Sequence, residues 1–387
     1  MDLVYLDNAA STKMLPRVIE EMTKSYIENY ANPSSTHRLG QKSKGALEKA
    51  RNIIAGCFGV EASEIIFTSG GAEGNNLILR GAMNAYDYKG KHIITSKIEH
   101  STVLKTCYQL EKEGYEVTYL DVDKNGVIDL EQLKKSIRKD TVIVSIMYAN
   151  NETGVKQPIE EIGKILEKTN IMFHTDAVQV IGKEMIFPKN MGVNAITGSS
   201  HKFHGPKGVG FVFLDKNFLI EKEIWGGFQE RNRRAGTENV NGIIGMGVAL
   251  EEVYKDIYSK VEVEEKLHKY LEKRIKKEIN GVTINGESSN RIENISNINI
   301  KDCDIQTLLI ALDLRGICVS GSSACMSGVQ EVSHVLKEMG LSNEELKKWF
   351  EEKVYCFDIN DKNIEDLKKL LDLFFAKKNI YNVSYKN

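Results

Sequence analysis

The chain has 387 residues, enough for two domains, and its 41% hydrophobic and 27% charged residues are an ordinary balance for a globular protein in water. A formal net charge of -2 argues against nucleic acid or an acidic surface as a partner. No apolar run is long enough for a bilayer, residues 1–12 show neither the basic stretch nor the apolar run of a secretory signal, and six scattered cysteines without a CxxC pair read as free thiols, so the expected location is the cytoplasm, away from membranes.

In chain order, residues 5–12 (YLDNAAST) read as a short strand entering a turn. The spacing of apolar residues predicts helices over 16–30 and 39–58, separated by the turn Ala31-Asn32-Pro33-Ser34-Ser35. A strand over 64–68 feeds Ser69-Gly70-Gly71-Ala72, and a helix follows to about residue 88. Strand, glycine-rich turn and helix start together make an anion site, because free backbone N–H groups converge where the helix dipole is positive. An ordinary βα loop has the same look. Strands over 92–96, 116–121, 142–148, 171–175 and 195–197 then alternate with helices over 101–112, 130–137 and 159–167. This order argues an α/β fold with a mostly parallel sheet covered on both faces. Such sheets bind ligands just past strand ends, where His100, Asn151 and Asp176 fall.

The stretch 194–214 (NAITGSSHKFHGPKGVGFVFL) places Lys202 between a small polar turn and an apolar strand. A confined lysine is a candidate Schiff-base nucleophile, although alone the segment also fits a surface lysine in a glycine-rich turn. Upstream, Phe173-His174-Thr175-Asp176 ends an apolar strand in an aspartate. An aspartate to pair with a pyridinium nitrogen and a lysine to hold an aldehyde are what pyridoxal 5'-phosphate (PLP) requires. Beyond Glu238, a helical pattern over 240–279, broken near 258, leads to strands over 295–300 and 317–320 and helices over 305–314, 329–339, 343–352 and 363–375. The expected division is a large domain, 11–258, and a small α+β domain from 1–10 and 259–387.

One ordered set of segments is more specific than any member: Leu6-Asp7-Asn8-Ala9-Ala10, Asn32-Pro33-Ser34-Ser35-Thr36-His37, Glu99-His100, Asn150-Asn151-Glu152-Thr153-Gly154, His174-Thr175-Asp176-Ala177-Val178-Gln179, Ser200-His201-Lys202, Gly205-Pro206-Lys207-Gly208 and Arg234-Ala235-Gly236-Thr237-Glu238-Asn239. Up to about Gly340 the chain resembles the cysteine desulfurases, PLP enzymes of the class V aminotransferase group. The resemblance implies a PLP-dependent aminotransferase-type fold and conversion of L-cysteine to L-alanine without a metal. It implies Lys202 as the Schiff-base lysine that also moves the Cα proton, Asp176 at the ring nitrogen, and His100 stacked on the ring and relaying protons. Asn151 and Gln179 would lie near the ring oxygen. Ser199, His201 and the amides of Gly71 and Ala72 would hold the phosphate, and Asn32 the substrate carboxylate. Thr237 would reach the phosphate of a second subunit, which implies a homodimer. Residue by residue, helix capping for His100 and Asp176 and a turn for Asn151 remain alternatives.

Cys325, in the small-residue stretch 319–328 (VSGSSACMSG), is the candidate nucleophile that takes the sulfur as a persulfide. The run into Ser333-His334-Val335-Leu336 resembles the subgroup with the longer catalytic loop, which implies an iron–sulfur scaffold or tRNA-thiolation protein as sulfur acceptor. Cys318, in an apolar strand, is expected to be buried and inert.

Two departures from the family pattern stand out. Ala72 replaces a hydroxyl residue, removing one phosphate contact worth about 1–3 kcal/mol. The family's arginine that clamps the substrate carboxylate has no counterpart: alignment puts Phe350 or Val354 there, and no arginine follows Arg315. Lys353 supplies charge but not the planar fork. A related PLP lyase or transaminase with another amino-acid substrate, or a weakly active homologue with a binding or regulatory role, are the alternative readings.

Overall fold

The computed structural model describes residues 3–300, 303, 305–321, 333–341 and 354–357. The chain runs through β1 (Val4–Tyr5), α1 (Pro16–Glu28), α2 (Arg38–Phe58), β2 (Ile65–Thr68), α3 (Gly71–Ala85), β3 (His92–Ser96), α4 (Ser101–Lys112), β4 (Glu116–Leu120), α5 (Leu130–Ser136), β5 (Thr141–Ser145), α6 (Ile159–Leu166), β6 (Met172–Asp176), β7 (Ala195–Ser199) and β8 (Gly210–Leu214). It continues through α7 (Gln229–Asn232), α8 (Val240–Lys255), α9 (Ile257–Glu278), β9 (Val282–Ile284), β10 (Ser296–Ile300), α10 (Ile305–Asp313), β11 (Ile317–Cys318), β12 (Ser320–Gly321), α11 (His334–Glu338) and β13 (Val354–Phe357).

The seven-stranded sheet has the order β2-β8-β7-β6-β5-β3-β4. β8 alone runs antiparallel, against β2 and β7. Successive residues of the central strands feed opposite faces, as the pleat requires: Phe173 enters the core beneath α2 and α8, and Met172 enters the one beneath α3 and α4. Burial on both faces explains the near-continuous apolar runs. The helices start where their sequences say. Pro16 fills the first turn of α1, and His37 and Asp129 accept N-terminal amides of α2 and α5.

A second core gathers Leu6 with Leu267, Leu271 and Ile275 of α9 and with Ile284, Ile298, Leu312 and Ile317. Over it lies a four-stranded sheet of order β12-β13-β10-β9, and β1 pairs in parallel with β11.

Several boundaries differ from the sequence reading. The strand expected over 142–148 ends at Ser145; Tyr148 N still bonds Asp176 O at 2.9 Å before the chain turns into the Asn151 loop. The strand expected over 317–320 is two short strands, because Val319 is where the chain leaves β1 as partner and takes β13. Cys318 is half-buried, since its strand belongs to a two-stranded sheet. β9 and β13 were not expected: each is short and flanked by glycine or charged residues that hide its pattern. The helices expected over 343–352 and 363–375 lie outside the described residues, and of 329–339 the structure describes α11.

Candidate active site

A cavity of about 1010 Å³ opens between the large sheet and the small core. Gly71, Ala72, His100, Asn151 and Asp176 line it, as do Gln179, Ser199, His201 and Lys202. Nine of the residues expected from the sequence therefore share one space.

Asp176 ends β6, and Lys202 follows β7 in a single 3-10 turn, Ser200–Lys202. Adjacent parallel strands of one sheet thus deliver the acid and the amine to the same edge. Asp176 is buried and accepts from Val178 N at 3.0 Å and from Asn75 Nδ2 at 2.7 Å. Lys202 Nζ donates to the carbonyl of Ala9, which also accepts from Gln179 Nε2 at 3.0 Å. His201 lies against Ser11, with Nδ1 and Oγ 3.3 Å apart. Burial first, then the charges of Lys202 and Lys207, push its pKa down to about 4, so its ring is neutral. His174, deeper in β6, sits between Ser145 Oγ at 2.8 Å and Thr197 Oγ1 at 3.0 Å, and burial pushes it to about 4 as well.

His100 caps α4, Nδ1 accepting from Thr102 N at 3.2 Å, and it also lines the cavity. Capping and a site role are thus compatible. Its exposed ring surface is surface facing the cavity; burial within the protein still lowers its pKa. The preceding Glu99 is fully buried, accepts from Ser96 Oγ at 2.7 Å and Met147 N at 2.9 Å, and is pushed up to about 8 by desolvation.

The N-terminus of α3 faces the cavity with no side chain capping it. Gly70 has φ 152°, open to glycine but not to most residues, and a Cβ on Gly71 would come 3.0 Å from Val178 Cγ2. Glu73 accepts from Ser69 N at 2.9 Å and is paired with Arg234 at 2.8 and 3.2 Å, which neutralises its charge beside the amides.

These features fit PLP: a helix N-terminus and small residues for a phosphate, Asp176 for a ring nitrogen, and Lys202 for an aldehyde. Among the described residues no cluster could hold a metal ion. The cavity's described lining contains no arginine; Lys105 and Lys207 join Lys202 as its lysines. Asn32 and Thr237 are exposed and do not line this cavity; Asn32 Oδ1 accepts from Ser34 N at 2.8 Å in a local turn. Cys325 and Lys353 lie outside the described residues. Gly321 and Ser333, which flank the Cys325 segment in sequence, both line the cavity.

Sequence reasoning missed Asn75, Thr102 and Lys105, and gave Lys207 and His334 no role in the site. Helical spacing could have found Lys105, since Ser101 and Lys105 are one turn apart just after His100. Nothing local singles out Asn75, and His334 stands out only within the resemblance of 333–336.

The family model for class-V aminotransferases matches residues 4–342. A cysteine desulfurase, IscS, of Dictyoglomus turgidum is 46% identical over 341 residues, 88% of this chain and 86% of the relative. Among solved structures, a NifS-like protein superposes with TM-score 0.89 at 35% identity, covering 97% of this chain and 98% of that one. SspA in complex with cysteine superposes with TM-score 0.81 at 34% identity, covering 92% and 98%. The chain belongs to the class-V aminotransferases and, within them, to the cysteine desulfurases.

Proposed function

We propose that this protein removes sulfur from L-cysteine, releases L-alanine and carries the sulfur as a persulfide on Cys325. The observation that carries the reading is the meeting of Asp176 and Lys202 beside the uncapped N-terminus of α3. PLP, when bound, supplies an electron sink for charge developing at the substrate carbons. Asp176 would hold its ring nitrogen, Lys202 its aldehyde, and the amides of Gly71 and Ala72 with Ser199 and His201 its phosphate. Lys202 is also the group placed to take and return a proton at the substrate Cα. His201, being neutral, adds a donor without adding charge. In sulfur transfer the Cys325 thiolate attacks the substrate sulfur. An S–S bond forms, the Cβ–S bond breaks with its electron pair left toward Cβ, and a proton completes alanine.

The homodimer in which Thr237 completes a second subunit's site, the cytoplasmic location, and delivery to an iron–sulfur scaffold or a tRNA-thiolation protein belong to the same proposal. One observation favours a second reading, a weakly active homologue or a related PLP enzyme with another substrate: no described residue lining the cavity is an arginine. Mass measurement of Cys325 after incubation with L-cysteine, with alanine assayed in parallel, tests the two. Added sulfur on Cys325 with stoichiometric alanine is expected; neither product would sink the desulfurase reading.

A further inference from the structure

The chain on either side of Cys325 meets the cavity wall: Ser320 and Gly321 line it before the cysteine, Ser333 and His334 after it. Cys325 follows Gly321 by four residues, a span of at most about 14 Å, and precedes Ser333 by eight. Where those two ends are held therefore bounds where the thiol can go. On the first side, β12 pairs with β13, and Ser320 Oγ donates to Asp7 Oδ1 at 2.6 Å. On the second, Ser333 Oγ donates to Glu152 Oε2 at 2.6 Å, the length of a charge-assisted O–H···O⁻ bond. The same hydroxyl accepts from Leu336 N at 3.2 Å and so caps α11, which leaves its one hydrogen for the carboxylate. His334 Nε2 lies 3.0 Å from Glu99 O, and a carbonyl only accepts, so that nitrogen donates. Val335, Leu336 and Met339 then pack on Ile98 and Met147.

Glu152 itself is a fixed post. Its amide donates to Asn150 Oδ1 at 2.9 Å, and Asn150 Nδ2 donates in turn to Ile98 O at 3.0 Å. Its carbonyl accepts from Asn297 Nδ2 of β10 at 3.0 Å. Glu152 and its neighbour Asn151 both line the cavity. Capping α11 needs Ser333 alone; a carboxylate buried behind it adds a desolvation cost and nothing to the cap. We propose that Glu152 is a positioning residue for sulfur transfer: through Ser333 it fixes on the cavity wall the chain end that follows Cys325, and so sets the approach of the thiol to the substrate sulfur. This rests on the desulfurase reading and deepens it. Neither Glu152 nor Ser333 makes or breaks a bond in the reaction. A misplacement on the order of 1 Å costs a reacting group about 100-fold in rate, so a released chain end is felt in the S–S-forming step. The steps at the substrate Cα use Lys202 and do not sense it.

The test compares the full-length, PLP-bound protein with Glu152→Ala, which leaves the cap on α11 in place, and with Ser333→Ala, which removes cap and carboxylate bond together. By hydrogen exchange and mass spectrometry, the amides of residues 334–339 should exchange about tenfold faster or more in both variants, the effect of losing one bond to a charged group. In a single turnover with L-cysteine, persulfide on Cys325 should form about 10–100-fold more slowly. The absorbance change of bound PLP on mixing with cysteine should keep its rate within about twofold. The double variant should be slower than the slower single variant by no more than about threefold, since both changes remove the same bond. Unchanged exchange in Glu152→Ala, a persulfide rate within about twofold of wild type, or an equal slowing of the absorbance change overturns the proposal. A wild type that forms neither persulfide nor alanine would sink the desulfurase reading, and the exchange comparison would still decide whether Glu152 holds this chain end.

Discussion

Glu230→Gln probes a buried latch behind the cofactor end of the site. Glu230, Arg231 and Asn232 have φ of 47°, 55° and 64°, three consecutive non-glycine residues in the left-handed region. At about 1–2 kcal/mol per residue, this turn stores about 3–6 kcal/mol. Holding it is the Glu230 carboxylate, which accepts from Arg51 Nη1 and Nη2, both at 2.8 Å, and from Phe67 N at 2.8 Å. The two side chains are 3% and 2% exposed, so solvent screens them little. Removing one charge of a buried pair costs about 3–5 kcal/mol. The lower end applies here, because Glu48 stays 3.2 Å from Arg51 Nε and glutamine keeps one acceptor. For a folding unit in the range of about 150–250 residues, about 3 kcal/mol lowers Tm by about 6–12 °C. The strain is then no longer matched, so the turn should relax and free Arg234 from Glu73 at the start of α3. Thermal unfolding should show the drop, and limited proteolysis should gain a cut within 227–239. A Tm within about 2 °C of wild type, with the proteolytic pattern unchanged, would refute the reasoning.

Lys202→Ala should lose both alanine formation and the visible absorbance of lysine-bound PLP; normal turnover in that variant would remove the lysine assignment. Glu99 has its pKa raised from 4.5 to about 8, so the fold binds its proton more tightly than the unfolded chain does. Its contribution to stability is full below about pH 4.5 and is lost as pH rises through about 8. Glu99→Gln should therefore flatten the fall of Tm over that window, which scanning calorimetry across pH would show. Installing arginine by Val354→Arg or Phe350→Arg should raise kcat/KM for cysteine by roughly tenfold or more, a charge-assisted contact being worth about 1.5–3 kcal/mol. An ordinary micromolar KM in the wild type that survives Lys353→Ala, Lys105→Ala and Lys207→Ala would show that none of these lysines holds the carboxylate.

The parts of this molecule legible in the sequence are those whose signal is local. Asp176 and Lys202 announce themselves because Asp176 closes an apolar strand and Lys202 follows the next strand by a single short turn, and strand ends of one parallel sheet share an edge. The glycine-rich start of α3 is readable for the same reason. Asn75 is different: it lies inside α3, and its importance comes from Asp176 and Thr102, partners 101 and 27 residues away. His334 likewise reaches Glu99 O at 3.0 Å across 235 residues. The Arg51–Glu230 pair joins α2 to α7 across 179 residues, and no helical or strand period carries such information. Asn32 and Thr237 were legible only through resemblance, and one chain's cavity contains neither. β13 escaped because four apolar residues among charged neighbours carry too little pattern for any period.

The pairing of Val4 and Tyr5 with Ile317 and Cys318 also has a consequence for biosynthesis. The next contact along, Ser320 to Asp7, spans 313 residues. At translation rates of about 5–20 residues per second, β1 leaves the ribosome on the order of 15–60 s before its partner strand exists. Leu6, already made, waits nearly as long for its core, whose other members run from Leu267 to Ile317. Ala9, whose carbonyl receives Lys202, follows three residues later on the same tether, so the lysine's surroundings are among the last parts of the molecule to be completed. Capture of PLP should then be an event of the finished chain, and a ribosome-stalled product ending before residue 317 that retained PLP would contradict that order.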